Sequence, residues 1–265
     1  MIPLRDSRQS YMFPWVTVIL IAINVLVFLF QITLSDKPTE LVDLGPWKQH
    51  QVTFANYERL TRYDQVQISP ARKFIFTYGV VPGEIARGKD FPPDIGLPIY
   101  VTLITSTFLH GGLLHLGGNM LFLWIFGDNI EEAMGRVRFV IFYFLCAGAG
   151  AMLQVAGELS SGTPMIGASG AIAGILAAYF LLYPGSRILT LVPIFFFFTF
   201  IEIPALIMLG FWFLLQLLRT PAGTAGGVAV LAHVGGFLAG IMLTPYFKRK
   251  EIPLELANYF RRYRG

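Results

Sequence analysis

Cysteine is nearly absent. Among 265 residues only Cys146 occurs, which excludes an intrachain disulfide and any CxxC metal or redox motif. Charge is scarce as well. Asp, Glu, Lys and Arg make up 14% of the chain, against about 25% in soluble domains. Histidine occurs four times. No HExxH is present and no carboxylate adjoins His110 or His233, so neither a metal nor any other cofactor is expected. Apolar residues fill the chain instead: 55% are hydrophobic and 15% aromatic, with a mean hydropathy of +0.61. This composition excludes a disordered chain, a collagen and a disulfide scaffold, and it argues against a water-soluble enzyme. One membrane domain is expected.

A helix that crosses a bilayer needs about 20 mostly apolar residues. Six runs of that kind are read at about 14–34, 113–134, 139–157, 165–183, 203–218 and 227–247. The first is longer than the apolar core of a signal peptide and ends in Thr33-Leu34-Ser35-Asp36 without a small-residue cleavage site, so it reads as an anchor. Pro14 suits its first turn. The fold class expected is an all-α membrane bundle of six transmembrane helices spanning 14–247, with a short N-terminus over 1–13, a long external loop over 35–112 and a basic tail over 248–265. Within that loop, interleaved charges, repeated prolines and aromatics such as Trp47 and Phe76 suggest short interfacial helices; a small soluble lobe is the alternative. The apolar stretch 188–201, interrupted by Glu202, reads as a re-entrant or interfacial piece or as a lengthening of the fifth span.

Basic residues set the orientation. Arg136, Arg138, Arg187 and the tail residues Lys248, Arg249, Lys250, Arg261, Arg262 and Arg264 fall on the side of both termini, so both termini are expected in the cytoplasm. A basic tail directly after a span is read as facing anionic lipid rather than nucleic acid. The absence of a transit peptide suggests a prokaryotic inner membrane.

Several polar residues stand where burial is costly. Removing an unpaired polar group from water costs roughly 2–7 kcal/mol, so polar residues at membrane depth face protein or a wet cavity. Ser169 lies in Gly167-Ala168-Ser169-Gly170, with Gly174 completing a GxxxG spacing. Small residues alone indicate close helix packing. However, the helix from Ser169 to Tyr183 is only about 22 Å long, shorter than the roughly 30 Å hydrocarbon core. Ser169 then sits at the positive helix end inside the membrane, placed to attack a carbonyl. His233 borders the face formed by Ala232, Gly236 and Gly240; paired with Ser169 it becomes a candidate general base. His115 and Asn119 share a helix face, and both can donate hydrogen bonds to an oxyanion. A polar packing network is the alternative for these two. His110 is placed at the approach to their helix.

With these residues assembled, the sequence resembles the rhomboid family of intramembrane serine proteases, through HGGLLHLGGN, GASG and AHVGGFLAG in that order. The resemblance implies a six-helix bundle with a Ser–His dyad. By position it implies Ser169 as nucleophile, His233 as base, and His115, Asn119 and the Ser169 N–H as oxyanion donors. It assigns structural roles to His110, Glu131 and the glycines Gly167, Gly170, Gly236 and Gly240. Two departures stand out. Val101-Thr102 occupies the place of a Trp-Arg pair, and Ala173 that of an aromatic that stacks on the histidine, so another group must orient His233. The substrates implied are transmembrane segments of other proteins, met within the lipid bilayer. Phe211, Trp212 and Phe213 are candidate gate residues or ordinary lipid-facing aromatics. Pro221, in 219–226, belongs to a candidate cap. The other readings are a non-catalytic rhomboid-like protein that binds client helices, and a small transporter.

Overall fold

The computed structural model describes residues 2–52, 65–194, 197–219 and 229–262. Its long helices follow the apolar runs. Helix α1 covers Trp15–Thr33, and after the smaller elements described below come α6 (Leu113–Met134), α7 (Arg136–Gly157), α8 (Ser169–Leu182), α9 (Ala205–Arg219) and α10 (Val230–Phe247). Among the described residues, α1, α7 and α10 are long and apolar enough to cross a membrane, and a fourth crossing counts if α6 is joined to the bent segment Ile99–Phe108 before it. Helix α8 has 14 residues, about 21 Å. Its neighbour α9 is similarly short.

The core lies where α6, α7, α8 and α10 meet. Helix α8 is buried along nearly its whole length, and Phe126, Phe139, Phe142, Tyr143, Ile175 and Tyr179 fill the space around it. Small residues let α8 and α10 approach backbone to backbone. A side chain on Gly236 would collide with the Gly170 carbonyl, and a Cβ on Gly240 would stand 2.5 Å from the Gly174 carbonyl oxygen. Helix α7 approaches α10 as closely: a Cβ on Gly150 would stand 2.5 Å from the Ala232 carbonyl oxygen. This is the small-residue packing that replaces hydrophobic driving force between helices in lipid.

The expectation of an all-α chain is corrected. The stretch 188–201 is not a helical extension of the fifth run: β4 (Arg187–Ile194) and β5 (Phe197–Pro204) pair antiparallel, and β1 (Ile2–Asp6) adds to the other edge of β4. The β-branched residues Ile188, Thr190, Val192, Ile201 and Ile203 favour strands over helix. Helix α9 begins at Ala205, because 203 and 204 close the hairpin. Helix α7 begins at Arg136 and α8 at Ser169. The segment 220–228, with Pro221 and the expected start of the sixth span at Gly227, lies outside the described residues.

The segment after α1 folds as a lobe rather than as separate interfacial helices. It comprises β2 (Glu40–Asp43) paired with β3 (Gln65–Ile68), and helices α2 (Gly45–Gln49), α3 (Pro70–Tyr78) and α4 (Pro82–Arg87). Leu44, Trp47, Val52, Val81 and Phe91 form its own core. Trp47 is 1% exposed, and its indole N–H donates to the Pro92 carbonyl at 2.9 Å. Ser69 caps α3 by accepting from the Arg72 N–H at 3.2 Å. The short helix α5 (Thr102–Thr105) lies within 99–108 and leads to α6 through a bend of 85°. Helix α11 (Glu255–Arg262) follows α10.

Candidate active site

Helix α8 begins at Ser169, with Gly167 before it at φ +117°. That backbone conformation disfavours any side chain. Space excludes one too: a Cβ on Gly167 would stand 2.8 Å from His115 Nε2 and 3.6 Å from Asn119 Nδ2. The Gly167 N–H donates to the Ser106 carbonyl at 2.8 Å, which ties the turn to the 99–108 segment. The turn is held from the lobe side as well, because Val80 and Met165 form a two-way backbone bridge. The N–H groups of the first turn of α8 have no intrahelical acceptor, and they carry the positive end of the helix dipole.

Ser169 Oγ and His233 Nε2 are 2.7 Å apart, within the reach a nucleophile and its base require. On the other side of the ring, His233 Nδ1 lies 3.0 Å from Oε1 of Gln216 on α9. The first turn of α10 is fixed by α7, where Gln154 Oε1 accepts the Ala232 N–H at 3.2 Å. Ser169, His233, His115, Asn119, Gln154 and Gln216 all line one cavity of about 690 Å³. Phe122, Ile172, Leu176 and Trp212 supply part of its apolar wall, and Glu158, Thr163 and Pro164 line it too. Asn119 is buried, and its Nδ2 has no acceptor among the described residues. A buried donor without a partner is uncommon in folded proteins, and this one lines the same cavity as Ser169. His115 Nδ1 accepts the Gly111 N–H at 3.3 Å, which leaves Nε2 beside Gly167.

The remaining candidates divide. The backbone of His110 is clamped at the bend before α6: its N–H donates to Gln31 Oε1 at 3.1 Å, and its carbonyl accepts from Gln31 Nε2 at 3.2 Å. The His110 ring is buried and stands edge-on to His115 at 5.0 Å. Glu131 lies away from the cavity, in the last turns of α6, and caps α1. Its carboxylate accepts from the Val16 N–H at 3.0 Å, the Thr17 N–H at 2.8 Å and the Thr17 hydroxyl at 2.9 Å. Pro14, at the N-cap of α1, offers no side-chain acceptor of its own. Of the gate candidates, Trp212 lines the cavity and lies 6.0 Å from the His233 ring. Phe213 instead stacks on Phe237 of α10 at 4.1 Å, and Phe211 is exposed on the outer surface. Among the described residues no three His, Cys, Asp or Glu side chains gather as a metal site.

Sequence reasoning did not single out Gln31, Gln154 or Gln216. The signal was available, since each is an amide inside an apolar helix, where burial without partners is costly.

The family model described as "Rhomboid domain" matches residues 99–250. "Rhomboid protein 1, mitochondrial" of Saccharomyces cerevisiae is 31% identical over 158 residues, covering 56% of this chain and 42% of that protein. The human "Presenilin-associated rhomboid-like protein, mitochondrial" is 30% identical over 150 residues, covering 54% and 37%. "RHOMBOID-like protein 4" of Arabidopsis thaliana is 26% identical over 259 residues, covering 91% and 57%. The chain thus spans between 37% and 57% of the length of these curated relatives.

Proposed function

This membrane protein belongs to the rhomboid family, and on that premise we propose that it is a serine endopeptidase that hydrolyses peptide bonds in or near transmembrane segments of other membrane proteins. The observation that carries the reading is the 2.7 Å approach of Ser169 Oγ to His233 Nε2 inside a cavity walled by helices.

The chemistry is acyl transfer. His233 Nε2 takes the Ser169 Oγ proton as the oxygen attacks the scissile carbonyl carbon. The negative charge that develops on the carbonyl oxygen is met by the Ser169 N–H at the positive end of α8, by Asn119 Nδ2 and by His115. His233 then returns the proton to the leaving amine. Water attacks the acyl-enzyme, with His233 again as base. No cofactor enters these steps. A helical substrate must unwind locally to expose its carbonyl, so helix-weak residues favour cleavage.

The proposed bundle has six crossings, with the short helices α8 and α9 counted as spans, and 248–265 is a basic tail. The lobe and the cavity mouth face outward. The bases of Arg136, Arg138 and the tail support both termini on the cytoplasmic side. The yeast and human relatives carry mitochondrial names, so the host membrane, bacterial or mitochondrial, follows the source organism while the orientation follows the charges.

A fluorophosphonate activity probe tests the reading. Covalent label on Ser169, absent in Ser169→Ala and His233→Ala, is the expected result. A folded wild-type protein that takes no label supports the client-binding alternative instead.

A further inference from the structure

The position four residues after Ser169 is Ala173, a buried methyl group, so α8 offers no aromatic face to the His233 ring. A base needs its ring held in one plane and one tautomer. Helix α9 supplies a group for both. Gln216 is 7% exposed. Its Oε1 lies 3.0 Å from His233 Nδ1, while His233 Nε2 faces Ser169 Oγ at 2.7 Å. An amide oxygen only accepts, so the ring nitrogen facing it carries the proton. A neutral imidazole has one such proton, and its free lone pair then lies on Nε2, pointed at the serine hydroxyl.

We propose that Gln216 is a positioning residue of the reaction, holding His233 in the Nδ1–H tautomer and fixing its ring plane so that Nε2 accepts the Ser169 proton. The proposal rests on the protease reading of the same site. Trp212, one turn earlier on α9, bounds the ring from the same helix. Gln216 thus takes the place a carboxylate holds in a triad, but it orients without adding a charge. It also ties assembly of the dyad to the seating of α9 against α10, which Phe213 makes through Phe237.

The test uses the full chain in proteoliposomes with a single-span peptide substrate. Gln216→Leu removes the acceptor. It is expected to lower kcat about 10–10²-fold, at most the low end of the roughly 10²–10⁴ that a positioned base contributes, with KM within about twofold. The rate of fluorophosphonate labelling at Ser169 should fall by the same factor. Gln216→Glu keeps an acceptor oxygen and should recover most of the loss. In ¹⁵N-histidine spectra, His233 of the wild type should show the Nδ1–H tautomer, and Gln216→Leu a mixture. An unchanged kcat and labelling rate in folded Gln216→Leu overturns the proposal, as does an Nε2–H tautomer in the wild type. Should Gln216→Leu not fold, the wild-type spectrum and Gln216→Glu decide. A wild type with neither label nor activity refutes the protease reading, and its tautomer still tests the Gln216 contact separately.

Discussion

The backbones of Val80 and Met165 hold each other in both directions, N–H to carbonyl at 3.0 Å from Val80 and 2.7 Å from Met165. Gly83 adds a third bond, to the Ser161 carbonyl at 2.8 Å. The lobe after α1 is therefore joined to the loop that leads into Gly167 and Ser169. What weakens the lobe should also loosen the approach to the serine.

Glu84 makes that link pH-dependent. It is buried at the lobe–loop junction, and its Oε1 accepts the Phe91 N–H at 3.2 Å. Burial pushes its carboxyl up to about 8 from an ordinary 4.5. Below the ordinary value the group is protonated whether folded or not, and there is no penalty. As pH rises from about 4.5 to about 8 the unfolded lobe ionises first, so folded stability falls through that window. Thermal melts of the wild type should show this decline, and Glu84→Gln should flatten it. Identical pH profiles for the two would contradict the assignment.

Glu131 predicts a stability effect without a chemical one. Replacing it with Leu leaves the first N–H groups of α1 and the Thr17 hydroxyl without their acceptor, at roughly 1–3 kcal/mol for each buried group. Unfolding in a detergent titration should move to markedly milder conditions, while probe labelling of the folded fraction stays normal. Loss of labelling at unchanged stability would instead place Glu131 in the chemistry.

Gly236 tests the seam between α8 and α10. Gly236→Leu drives a side chain into the Gly170 carbonyl, an overpacking of about 1–3 kcal/mol. Because Ser169 and His233 flank this seam, activity should fall together with melting temperature. Full activity at an unchanged melting temperature would mean that the helices are further apart than described.

The apolar runs and the small-residue spacings were legible in the sequence, because membrane burial leaves long unbroken hydrophobic stretches and close helix contact demands Gly and Ala at fixed intervals. The polar residues Ser169, His233, His115 and Asn119 stood out for the same reason: each is expensive in such surroundings. The β1–β4–β5 sheet did not. An apolar run of strand length cannot be told from helix by periodicity alone, and the pairing of Ile2–Asp6 with 188–191 joins the two ends of the chain's first three-quarters, which no local pattern reports. Glu202 read as a break in a helix, whereas it stands 3.8 Å from Arg187 across the base of the hairpin. Trp47 read as an interfacial aromatic because its burial depends on Val81 and Phe91, far along the chain. Gln216 carried the signal of an amide inside an apolar helix, but its partner did not show in the sequence: His233 Nδ1 lies opposite it only in the folded chain.

The central claim is that Ser169 and His233 act as one unit. Its most direct measurement is cleavage of a reconstituted single-span substrate by the wild type, Ser169→Ala, His233→Ala and the double variant, with Asn119→Ala as a graded control. Each single variant should abolish cleavage, and the double variant should be no worse than either, since removing one member already disables the pair. Asn119→Ala should retain measurable activity, with a loss of up to about 10²–10³-fold because one oxyanion donor of several is gone. Cleavage that persists in folded His233→Ala, or losses that multiply in the double variant, would contradict the account.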